Sequence, residues 1–182
     1  KTLEHNGYQF EGAENSFDLL IRRLMGLDRI FFRVVDYRVF SDDHRKEEES
    51  ASAVVKLVVD GAEEMTAAEG DGPVNALDRA LRKALRVFYP AIDRMRLLDY
   101  KVRVLDTDRA TAAKVRVHIT STDGRSVWGT VGVSTNIIEA SFAALIDSFE
   151  SFLYSEMNKE NKGEQQHGHD HDTKDTSGAR GA

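Results

Sequence analysis

The sequence predicts an α+β fold: two βββα units related by a pseudo-two-fold axis and preceded by a short helical connector. Three observations carry this. Short runs of alternating apolar and polar residues occur in a group of three before residue 70 and in a second group of three from Tyr100 onward. Each group is followed by an apolar stripe at helical spacing. The two stripes align at a constant offset of 64 residues, with Ala80-Leu81 on Ala144-Leu145, and Leu85 and Phe88 on Phe149 and Phe152. One three-stranded sheet with one helix buries little surface alone, so the halves are expected to pack together around a shared core.

Taken in order, residues 1–30 read as the connector. Tyr8-Gln9-Phe10-Glu11-Gly12-Ala13 is loop-like, and Asn15-Ser16 is placed to cap a helix running to about Met25. Its apolar stripe is Phe17, Leu20, Ile21 and Leu24, and Gly26 stops it. The body spans 31–157, in units of about 31–90 and 95–157. In the first unit, Phe31 to Phe40, Ala53 to Val59 and Met65 to Glu69 are strands, and Asp42 to Glu49 is a loop of mixed charge. Gly70-Asp71-Gly72-Pro73 then leads into a helix carrying Val74, Leu77, Leu81, Ala84, Leu85 and Phe88, which Pro90 ends. In the second unit, Tyr100 to Val104, Ala113 to Ile119 and Val127 to Val133 are strands, with an Asp123-Gly124 hairpin turn before the last. A helix with Ala140, Ala144, Leu145, Ser148, Phe149 and Phe152 on one face follows. From Asn158 on there is no aromatic or branched aliphatic side chain, so 158–182 is expected to be a disordered tail.

Composition narrows the function. At 182 residues the chain is too short for a (β/α)₈ barrel, which needs about 250. With no cysteine it carries no disulfide, thiolate metal site or cysteine nucleophile. A net charge of −6 argues against nucleic acid or an anionic membrane as partner. No apolar run approaches the roughly 20 residues of a membrane span, and a cytoplasmic location is expected. The start at Lys1, without Met, reads as a piece cut from a longer protein.

Four groups are candidates for chemistry. In Gly70-Asp71-Gly72-Pro73-Val74-Asn75, glycines before a helix leave backbone N–H groups facing outward at its positive end, suited to a carboxylate or phosphate. The same residues equally make a plain strand-to-helix turn with Pro at the first helical position. The spacing is neither a Walker loop nor a dinucleotide fingerprint. Leu97, Asp99 and Tyr100, with Ala110 and Ala112 on the next strand, either form a pocket for a branched aliphatic group or simply pack. His167, His169 and His171 alternate with small or acidic residues, but nothing around them builds the outer shell a metal site needs. His118 with nearby Ser121 lacks a nucleophile elbow. None of these is a catalytic apparatus.

Four segments, YQFEGAE (8–14), GDGPVNAL (70–77), LLDYKVR (97–103) and WGTVGVS (128–134), occur here in an order that resembles the C-terminal regulatory domains of the 2-isopropylmalate synthase and citramalate synthase family. The resemblance covers about residues 1–155 and is nearer the citramalate branch. It implies a homodimeric domain that binds a pathway end product as feedback inhibitor, isoleucine for the citramalate branch or leucine for the other. It also implies a missing catalytic barrel upstream, holding a divalent metal and condensing acetyl-CoA with pyruvate or another 2-oxo acid; this fragment itself has no catalytic residues, cofactor or metal. The effector residues carried over are Gly70, Gly72, Val74 and Asn75 at the turn, Leu97, Tyr100 and Val104 on the strand, and Ala110 and Ala112 opposite. Turn amides would hold the amino-acid carboxylate, and Asp71 or Asp99 the ammonium group.

Overall fold

The computed structural model describes residues 7–41, 51–105 and 113–170, with side chains as far as residue 159. Its elements are helix α1 (Glu14–Leu24), strands β1 (Arg33–Ser41), β2 (Ala51–Val59) and β3 (Ala62–Gly70), helix α2 (Pro73–Leu85), a 3₁₀ turn (Pro90–Arg94), strands β4 (Arg96–Val104), β5 (Val115–Thr122) and β6 (Val127–Ser134), and helix α3 (Ile137–Asp170). The strands form two antiparallel meanders, β1-β2-β3 and β4-β5-β6, each followed by its helix. This is the doubled βββα plan.

Alternation decides which face is buried. In β2, Ala51, Ala53, Val55, Leu57 and Val59 point inward, and in β5 Val117, Ile119 and Ser121 do so. α2 covers the first sheet with Leu77, Ala80, Leu81, Ala84 and Leu85, all fully buried, and α3 covers the second with Ala144, Leu145, Phe149 and Phe152. One continuous apolar core joins the units. The repeat extends to single hydrogen bonds: Thr66 Oγ1 donates to the Ala80 carbonyl at 2.7 Å, and Thr130 Oγ1 to the Ala144 carbonyl at 2.8 Å. Asp60 and Gly61, both at positive φ, turn β2 into β3, while the Asp123 carboxylate accepts the N–H groups of Arg125 and Ser126 to turn β5 into β6.

The connector lies on the second unit. Ser16 Oγ accepts the Val131 N–H at 2.9 Å and donates to the Asp147 carboxylate at 2.7 Å, so α1 covers the free edge of β6. Arg23 pairs with Asp147 at 2.9 Å and Glu150 at 2.6 Å. Gly26, at φ +65°, ends α1 while Leu27 N–H reaches back to the Arg22 carbonyl.

One expectation is corrected. α1 begins at Glu14, without a capping side chain, and its buried residues are Ser16 and Leu19, leaving Phe17, Ile21 and Leu24 exposed. Ser16, Leu19 and Arg23, not the expected stripe, set its rotation. α3 continues to Asp170. Residues 171–182, including His171, lie outside the described residues.

Candidate functional site

The site begins with a misregister. β4 pairs with β5 as Leu97 with Ser121 and Asp99 with Thr120, so a bulge falls between Leu97 and Asp99. The extra residue turns Leu97 and Tyr100, three apart, toward the same side. Tyr100 extends inward until its hydroxyl meets Ser141 Oγ of α3 at 2.8 Å.

Facing this strand is the start of α2. Gly70 ends β3 so close to the helix that a Cβ there would stand 2.6 Å from the Ala76 nitrogen and from Asn75 Oδ1, so only glycine fits without displacement. Gly72 is the N-cap residue in extended backbone, Pro73 takes the first turn, and no side chain caps the helix. Between helix and strand lies a cavity of about 550 Å³ lined by Val74, Asn75, Asp78, Arg82, Met95, Arg96, Leu97 and Tyr100.

Its polar wall is an ion pair. Arg82 holds Asp78 at 3.1 Å and also donates to the carbonyls of Ile92 and Met95, at 3.1 and 2.6 Å, with its guanidinium 5.3 Å from the Phe149 ring centre. Burial pushes the Asp78 carboxyl above the usual carboxylate range, and Arg82 only partly opposes it. Val74, Met95 and Leu97 supply apolar surface beside these charges. The arrangement can take a small molecule with a cation, an anion and an aliphatic body.

Four of the sequence-derived residues, Val74, Asn75, Leu97 and Tyr100, therefore line one cavity, with Gly70 and Gly72 shaping the turn. Asp71 is exposed at that turn. Asp99 lies outside the lining, paired with Lys101 at 2.5 Å, and Val104 is half exposed, also outside. Ala110 and Ala112 fall outside the described residues. Sequence reasoning missed Asp78, Arg82, Met95 and Arg96. The signal available for two of them was the i,i+4 Asp-Arg pair interrupting an otherwise apolar helix. His118 and Ser121 have opposite parity in β5; Ser121 is inside, bonded to Ser148 Oγ at 2.8 Å, so no triad forms. No group of three or more metal-ligating side chains occurs among the described residues. No described helix is long and apolar enough to cross a membrane.

Comparison with known proteins agrees with this architecture. A family model described as the LeuA allosteric (dimerisation) domain matches residues 11–153. The chain is 53% identical over 155 residues to an (R)-citramalate synthase of Geobacter sulfurreducens, covering 85% of this chain and 29% of that protein. It is 51% identical over 164 residues to one of Aquifex aeolicus, covering 90% and 30%. A 2-isopropylmalate synthase of Aquifex aeolicus is more distant, at 34% over 116 residues, 64% of this chain and 20% of that protein. The chain thus spans under a third of the length of these relatives. With its doubled βββα fold and a family match over most of its length, the chain belongs to the LeuA allosteric (dimerisation) domain family.

Proposed function

We propose that this domain binds a branched-chain amino acid, isoleucine before leucine, in the cavity between α2 and β4, and that as a homodimer it imposes feedback inhibition on a citramalate synthase-type acyltransferase. The observation that carries the reading is the composition of the cavity wall: Asp78 stands beside apolar Val74, Met95 and Leu97 and below the uncapped start of α2. Asp78 receives the ammonium group, the N-terminal amides of α2 take the carboxylate, and the apolar residues accept the aliphatic side chain. Greater similarity to citramalate synthases than to 2-isopropylmalate synthases favours isoleucine. The catalytic barrel, its divalent metal and its condensation of acetyl-CoA with pyruvate belong to the parent enzyme. The connector joins the two, and the effector acts only through its different affinity for the parent's active and inhibited arrangements.

Calorimetric titration of the chain with isoleucine, leucine and valine, alongside sedimentation to read the dimer, tests this. One isoleucine per chain, bound more tightly than leucine, is expected. A reversed order makes this a leucine domain, and no heat from any of the three at millimolar concentration makes it a dimerisation module alone.

A further inference from the structure

The internal repeat reaches further than the helices. Arg33-Val34-Val35-Asp36-Tyr37-Arg38-Val39 of β1 matches Arg96-Leu97-Leu98-Asp99-Tyr100-Lys101-Val102 of β4, and each strand carries its bulge at the same place, Val34/Asp36 and Leu97/Asp99. Combined with the 64-residue helix offset, every element of the cavity has a counterpart: Gly70, Gly72, Asn75 and Asp78 correspond to Ser134, Asn136, Glu139 and Phe142. The scaffold of the site therefore exists twice. The counterparts of strand and helix meet in the same way, since Tyr37 of β1 packs against Phe142 of α3 with ring centres 4.2 Å apart.

In the second copy the protein's own side chains stand where the first is open. Asn136 Oδ1 accepts the Ile138 N–H at 2.8 Å, capping α3, whereas its counterpart Gly72 has no side chain and α2 is uncapped. Ser134 Oγ accepts the Asn136 N–H at 3.1 Å and donates to Glu139 at 2.8 Å, where Gly70 offers nothing. Phe142, only 7% exposed, replaces Asp78 and fills the space beside the tyrosine. An acceptor oxygen on the helix amides and an apolar group between helix and strand are the two parts of an aliphatic amino acid that the first copy is proposed to hold.

We infer that the domain carries a second, self-filled copy of its ligand site, closed by Asn136 and Phe142, and that this is why it binds one ligand per chain. The inference rests on the ligand reading above, in which the uncapped amides of α2 are the carboxylate contact. Gly72→Asn transplants the closure into the open copy. Its backbone, at φ −171°, is extended and accepts any residue, and an added Cβ meets open space, so the variant is expected to fold. The melting temperature is expected to rise by several degrees, as for a gained cap, while isoleucine affinity falls at least tenfold. A second variant, Asn136→Gly with Phe142→Ala, is expected to bind two isoleucines per chain. Unchanged affinity in Gly72→Asn overturns the amide contact, and one isoleucine per chain in a folded double variant overturns the second copy. If wild type binds none of isoleucine, leucine or valine, the ligand reading itself fails, and this inference with it. If the double variant does not fold, unchanged affinity in Gly72→Asn overturns the inference, because the transplanted closing side chain then does not occupy the ligand's place.

Discussion

Asp78 holds two opposed demands in one side chain. Burial raises its pKa, so the folded state favours the neutral carboxyl: that contribution to stability is full on the acid side and is lost as pH rises through the raised value. Its proposed role with an ammonium ligand requires the charged form. The Asp78 contribution to stability is therefore greatest in acid, while binding of an ammonium group by Asp78 is favoured toward neutrality. The charged groups around Asp78 are Arg82 and Arg79 on its own helix and Arg96 of β4 across the cavity. Over the pH range in which a free amino acid keeps both its charges, isoleucine affinity is expected to fall as pH drops toward the raised Asp78 pKa. Asp78→Asn should bind weakly and without that slope. A slope that persists in the variant assigns the titration to another group.

The same residue marks how far the sequence could be read. Val74 and Asn75 were legible from the glycine turn they follow, and Leu97 and Tyr100 from the short LLDYKVR segment. Asp78 and Arg82 were not, because helical periodicity says which positions face the core but not that a charged pair occupies its margin. Asp99 was drawn into the site because it lies next to Tyr100 in sequence. Only the bulge in β4, a property of pairing with β5, shows that Leu97 and Tyr100 share a side and that Asp99 turns out toward Lys101.

At the scale of elements, strands and helices followed from alternation and stripe, while the docking of α1 did not. Phe17, Ile21 and Leu24 made the apolar stripe, yet the helix rests on Ser16, Leu19 and Arg23. Arg23 bridges two carboxylates on α3 whose side chains are only 14 and 16% exposed, Asp147 and Glu150. Removing it leaves these two acids side by side; the carboxyl of Glu150, already raised by burial, loses the cation that opposed the shift. Arg23→Ala is expected to cost about 1–2 kcal/mol and to free α1 from the edge of β6. Limited proteolysis should then cut near residues 24–30 many times faster, while thermal unfolding of the body stays cooperative. Equal cleavage rates would mean that Ser16 and Leu19 hold the helix without the ion pairs.

For the molecule as a whole, doubling is a requirement of size. Each unit has about 60 residues, a length at which a single sheet and helix are marginal. The core crosses the divide: Phe31 meets Tyr154 of α3 with ring centres 4.8 Å apart, Arg82 of α2 lies over Phe149, and Arg94 pairs with Glu156. Fragments 31–95 and 95–157 are each expected to lack a cooperative melt by circular dichroism, and to regain one when mixed. A cooperative melt from either alone would show that the units are independent.

β6 gives these scales a common mechanical sense. Gly129 and Gly132 lie on opposite faces of the strand; an added Cβ on the first would collide with the Gly12 carbonyl of the connector, and on the second with the Ala140 carbonyl of α3. The strand is thus pressed at van der Waals contact from both sides, in an interior that compresses little. It leaves no slack to absorb movement: a shift of the connector arriving at Gly12 is met, one strand's thickness away, by the first turn of α3, and the two can only move together.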